Sequence, residues 1–182
     1  MVGLGQSLGA MMHGRVDHSD LYRFALVQAV AALDTYVHGV VLDRSVEVIL
    51  GRITVAATAP KVGLSILAVQ SLISAPTAAD KEILARGYVA QRLALETFQR
   101  PDDIAMALSH VGVRSIWKSA FLVSADSTKQ SLALIVDRRN KIVHQSDKNP
   151  LLPGAVVALT DMDATGAIAE IERIVRAIDP HC

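Results

Sequence analysis

The chain has 182 residues, 18 basic against 18 acidic, and a formal net charge of zero. It is 51% hydrophobic but only 4% aromatic. The length fits one domain, and the neutral balance excludes a domain that holds nucleic acid through an overall basic field; RNA or DNA must be met by a local patch or by one made on assembly. The apolar residues are mostly Ala, Val, Leu and Ile, which suits helices packed on helices, and a neutral, apolar domain is expected to self-associate. Cys182 is the one cysteine, so neither an intrachain disulfide nor a cysteine-based zinc site is available, and a reducing, cytoplasmic compartment is the simplest expectation.

In chain order, residues 1–18 carry Gly3, Gly5, Gly9 and Gly14 with His13 and His18, and are expected to form a loose lead-in without the basic start of a secretory signal. Residues 19–179 are expected to form a single helical domain. Ser19 or Asp20 caps a first helix to about Val41, with Leu21, Phe24, Ala25, Ala32 and Val40 on its apolar stripe. A second piece, about Leu42 to Leu50, either continues it or bends away, and Gly51 closes it. A short helix is expected from about Lys61 to Ser74. The stretch from Ile53 to Ile73 is broken by Pro60, Lys61, Gly63 and Gln70, so it does not read as a membrane span.

Pro76–Thr77 breaks the chain, and Thr77 caps a long helix to about Gln99 with Ile83, Ala90, Leu93 and Ala94 on one stripe. Arg100-Pro101-Asp102-Asp103 is a stop and restart: proline is tolerated in a first helical turn, and acids there oppose the positive end of the dipole. A short helix to about Ser109 follows, then Gly112 and a segment with Trp117 and Phe121. Ser124 to Ser127 caps a helix through Leu132, Ile135, Val136 and Val143 that ends at or just past His144. A loop with Pro150 and Pro153 leads to a last helix, capped by Asp161 or Asp163, with Ile168, Ile171, Ile174, Val175 and Ile178 as its buried face. No segment alternates as a strand does. The expected fold is an all-α, up-and-down bundle of five to seven helices.

Chemistry concentrates in Arg138-Arg139-Asn140-Lys141-Ile142-Val143-His144. It combines permanent cations, an amide, and the side chain whose ordinary titration lies near neutrality. On a regular helix Asn140 and His144 project within about 40° of each other, but Arg139 lies about 140° from His144. Either the helix end distorts or two chains pair to make one cleft. The plainer alternative is a helix end whose cations suit the dipole, by ~0.3–1 kcal/mol each. Elsewhere Asp34 and His38 share a helix face; two ligands do not make a metal site, and no H-E-x-x-H pair, Walker loop or G-x-S-x-G is present. Asp102 and Asp103 diverge as neighbours on a helix and read as a matched first turn. Trp117 reads as a core or interface anchor.

R-N-x-x-x-H at a helix end in an all-α domain resembles the HEPN superfamily. Ala32-Leu33-Asp34-Thr35-Tyr36-Val37-His38 is similar to the L-D-x-Y-x-H segment of its RiboL-PSP-type subgroup. Phe98-Gln99-Arg100-Pro101, Gly112-Val113, Ile116-Trp117-Lys118 and Ala177-Ile178-Asp179 follow in the subgroup's order. The resemblance implies a helical bundle acting as a homodimer and cleaving RNA without a metal or other cofactor, as a toxin or defence enzyme with an antitoxin protein as possible partner. It implies His144 as general acid/base, Arg139 on the phosphate, Asn140 orienting, and Arg138 and Lys141 on RNA. Arg138 also fits the family's looser spacing as the working arginine. Asp34 and His38 are either a satisfied polar pair at a helix contact or accessories near His144. Where some family toxins carry a modified tyrosine two residues past the histidine, this chain has Ser146. The alternatives to an enzyme are a non-catalytic HEPN module that binds RNA or protein, and a plain helical scaffold.

Overall fold

A computed structural model describes residues 2–11, 19–56, 63–149, 152 and 154–182. Among these residues the fold is all-α: seven helices of eight or more residues, one of six, and no strand beyond an isolated bridge between Lys148 and Val156. The helices are α1 (Val2–Met11), α2 (Ser19–Ile49), α3 (Ile66–Ile73), α4 (Ala78–Leu93), α5 (Pro101–His110), α6 (Ile116–Phe121), α7 (Ala125–Gln145) and α8 (Asp161–Ile178), with 3-10 turns at Leu122–Ser124 and Asp179–His181. His13, His18, Pro60, Lys61, Pro150 and Pro153 lie outside the described residues.

α2 is the axis of the bundle, touching α1, α4, α5, α7 and α8. It runs unbroken through Leu42–Asp43, because nothing there interrupts the ladder. It ends in a Schellman turn: Gly51, at φ 75°, donates to the Val48 carbonyl (3.0 Å) and Arg52 to Glu47 (2.9 Å). By length and composition α2 could cross a membrane. In this fold it is a core helix, with Val30, Leu33, Val37 and Val41 fully buried.

The buried face of α2 is Tyr22, Ala25, Leu26, Val30, Leu33, Val37 and Val41; of the expected stripe only Ala25 belongs to it, Phe24 and Ala32 being exposed and Leu21 and Val40 half-buried. A helix apolar nearly all round offers several 3.6-residue stripes, and tertiary neighbours choose among them. α4 buries the expected Leu93 but with Ala85 and Val89, while Ile83, Ala90 and Ala94 are exposed. α4 also stops at Leu93 rather than near Gln99. The Leu93 carbonyl faces His38, the Phe98 N–H is taken by Asp34, and Phe98 turns into the core.

Residues 2–11, expected to be part of a loose lead-in, are helical. α1 lies against α2 and α8, with Val2 on the cluster of Tyr22, Leu26, Leu159, Ala164 and Ala167, and Gln6 donating to Asp161 (2.9 Å). The described part of the expected 61–74 helix begins at Ile66, one residue after Ser65, whose hydroxyl accepts from the Ala68 N–H. Thr160, not Asp161 or Asp163, caps α8; Asp163 closes the reciprocal capping box from position N3. α8 buries Ala164, Ala167, Ile171, Ile174 and Ile178, while Val175 and Ile168 sit at the margin. Trp117 is a core anchor, 6% exposed, its indole N–H donating to the Pro101 carbonyl (2.8 Å).

Candidate functional site

α7 is regular to Gln145, so the helix end does not distort to bring Arg139 and His144 together. It is anchored on one side by Leu132 and Val136, both buried in the main core. The chain then reverses through two consecutive left-handed residues, Ser146 (φ 50°) and Asp147 (φ 54°), a conformation that Asp tolerates better than most residues. Asp147 donates its N–H to the Lys141 carbonyl (3.1 Å), and its own carbonyl accepts from Val157 (2.8 Å).

This reversal puts the Asp147 carboxylate inside, 1% exposed, between two arginines. Its Oδ2 accepts from Arg138 Nη2 (2.7 Å) and from Arg23 Nε (3.1 Å). Arg138 Nη2 also reaches the carbonyls of Val157 (3.1 Å) and Ala158 (3.2 Å). Arg23 is spread over Ser19, Asp20 (3.0 Å) and the Val157 carbonyl (3.0 Å). The network ties the start of α2, the end of α7 and the 147–158 loop together. Arg138 is thus spent on structure, and its charge is answered by a buried acid.

Arg139 is placed differently. Half-buried, it donates from Nη1 to the Asn140 Oδ1 (3.0 Å) and meets no carboxylate; its buried Nε, like that of Arg138, has no partner among the described residues. Asn140 is half-buried, whereas Lys141 and His144 are exposed. No carboxylate pairs with Arg139, Lys141 or His144 among the described residues; the nearby Asp137 is held by Arg100 (2.7 Å). The local charge here is therefore positive in a chain that is neutral overall.

Asp34 and His38 are not joined to this end. Asp34 Oδ1 accepts from the Phe98 N–H (2.5 Å) and Oδ2 from Gln99 Nε2 (3.4 Å). The His38 nitrogens face the Asp34 (2.8 Å) and Leu93 (3.2 Å) carbonyls, and the ring packs on Phe98 with centroids 4.4 Å apart. The pair shapes the α4–α5 connection, roughly 16–23 Å along α2 from Arg23 at about 1.5 Å per residue. Contacts between distant segments hold this region: the Phe98 N–H donates to Asp34, the Tyr36 hydroxyl to Asp179 (2.9 Å), and the Trp117 indole to the Pro101 carbonyl.

A separate cavity of 240 Å³ lies on the α4–α5 flank between Arg92, Glu96, Phe98, Asp103 and His110. Burial pushes His110 below the ordinary histidine range; Glu96 opposes that shift and Arg92 adds to it. Among the described residues no three His, Cys, Asp or Glu side chains gather as a metal site.

Sequence reasoning missed Arg23 and Asp147. Asp147 sat in a loop between Ser146 and Lys148, and nothing in its neighbours signals that it folds inward. No family model, curated protein or solved structure matches this chain.

Proposed function

We propose that the protein is a metal-independent endoribonuclease that acts as a homodimer in the cytoplasm, as a toxin or defence enzyme with an antitoxin protein as its natural restraint. What carries this reading is the contrast at the end of α7. Arg138 is neutralised by Asp147, whereas Arg139, linked to Asn140, and the exposed His144 are left uncommitted to the fold.

The reaction is attack of a ribose 2′-oxygen on the adjacent phosphorus. A P–O2′ bond forms, the P–O5′ bond breaks, and a 2′,3′-cyclic phosphate and a 5′-hydroxyl result. His144 takes the 2′ proton, and the imidazolium so formed returns it to the departing O5′. Arg139 offsets charge on the pentacoordinate phosphorus, with Asn140 orienting its guanidinium. Because Arg139 and His144 diverge by about 140° on a regular helix, the working site takes its arginine from one copy and its histidine from the other. Lys141 adds charge for the RNA backbone.

Purified protein in EDTA is expected to cut RNA to cyclic-phosphate ends, and His144→Ala to abolish cutting with the circular dichroism spectrum unchanged. Cutting that survives His144→Ala overturns the assignment. The same divergence favours a second reading, an RNA- or protein-binding module without chemistry; it predicts binding that ignores His144→Ala and produces no cyclic phosphate.

A further inference from the structure

The chain has three Phe, three Tyr and one Trp, and of these Phe24 alone is exposed. Tyr22, Phe98, Trp117 and Phe121 are buried, and Tyr36 and Tyr88 half-buried. Phe24 is 48% exposed and borders an open groove of 430 Å³ between the first turns of α2 and the end of α7. That volume falls within the range of small-ligand clefts, roughly 300–1,000 Å³.

The groove has aliphatic walls from Val27, Ile142 and Val156, and two polar side chains, Gln28 and Ser146. Neither has a side-chain hydrogen-bond partner among the described residues. An amide offers both donors and an acceptor, and a hydroxyl offers one of each. The charges at its edge are spent: Arg23 pairs with Asp20 (3.0 Å) and with Asp147 (3.1 Å). The groove is therefore fitted to a neutral, flat, hydrogen-bonding group rather than to a phosphate. Arg139 does not line the groove but shares α7 with Ile142, which does. Arg139 lies one turn before Ile142, about 60° from it around the α7 axis, with guanidinium donors to spare.

We propose that this groove is a base-binding subsite: one unpaired base of an RNA strand stacks on Phe24, is read at its edge by Gln28 and Ser146, and delivers its phosphate to Arg139. An aromatic face serves any base, and only an unstacked, single-stranded base presents its own face to one. The proposal rests on RNA being the substrate.

The test is anisotropy of a fluorescein-labelled, ten-nucleotide single-stranded RNA bound to the full-length chain carrying His144→Ala, at fixed salt, with Phe24 varied. Phe24→Ala and Phe24→Leu are expected to weaken binding about tenfold, the scale of one base–aromatic stack. Phe24→Trp is expected to retain binding, with the new indole emission quenched by the RNA. The salt slope stays as it was, because no phosphate contact is removed. Light scattering reports the mass of each variant. Affinity unchanged in Phe24→Ala and Phe24→Leu overturns the proposal. So does a loss of affinity that tracks a fall from dimer to monomer mass, which makes the groove a contact between copies. Wild-type protein that forms cyclic phosphate while Phe24→Ala binds normally sinks the subsite alone. Phe24-dependent binding without cyclic phosphate sinks the ribonuclease reading alone, and a wild type that binds no RNA sinks both.

Discussion

Replacing Asp147 with alanine removes the one buried carboxylate that both Arg23 and Arg138 share. Taking one partner from a buried pair costs about 3–5 kcal/mol, because the charge left behind is uncompensated. Two features pull the value to the lower end. Arg23 keeps Asp20, Ser19 and a carbonyl, and Arg138 keeps the carbonyls of Val157 and Ala158. The expected loss is about 3 kcal/mol, or a fall of ~6–12 °C in Tm for a domain of this size. Alanine also accepts the left-handed φ of 54° less readily, so Asp147→Asn, which tolerates that backbone, separates the two causes. The asparagine variant is expected to lose about 1.5–3 kcal/mol through its weakened charged hydrogen bonds. Urea unfolding followed by circular dichroism measures both. A loss below about 0.5 kcal/mol in both variants, the scale of an ordinary surface change, would refute the clamp.

Four further outcomes follow from the same contacts. Arg138→Ala is expected to cost about 2–3 kcal/mol in urea and Arg139→Ala less than about 1 kcal/mol, since only Arg138 answers a buried acid. Asp34→Ala is expected to cost about 1–2 kcal/mol by freeing the Phe98 N–H, while cleavage per folded molecule stays at the wild-type rate. Thr160→Ala, which opens the capping box, is expected to cost about 1 kcal/mol. The last concerns pH. The Gln6 amide holds the Asp161 carboxyl below its ordinary range. A depressed folded value means stability present above the ordinary carboxylate range and lost as pH falls through the folded value. The protection of the Val2–Met11 amides, relative to their intrinsic exchange rates at each pH, should fall over that acid window, and Gln6→Ala should lessen that fall.

Much of the fold was legible because its signals are local. Pro101 with two acids, and Thr77 ahead of α4, mark their helices through capping chemistry that needs no tertiary partner. α7 could be read from Leu132, Val136 and its basic end. What failed depends on contacts distant in sequence. The true stripe of α2 was hidden because apolar residues surround the helix. α4 ends at Leu93 because Asp34 and His38, some sixty positions earlier, capture the turn. The candidate site was half legible: Arg139, Asn140 and His144 stand out by type and spacing. Only the reversal at Ser146–Asp147 shows that Arg138 is tied to the fold, and only burial singles out Phe24 as exposed.

In the proposed dimer each working site draws Arg139 from one copy and His144 from the other. Mixing two inactive chains, Arg139→Ala and His144→Ala, after unfolding and refolding together, tests it directly. Half of the resulting dimers pair unlike chains, and each such dimer has one intact site, so roughly a quarter of wild-type cleavage should return. A mixture as inactive as its separate components would contradict the account.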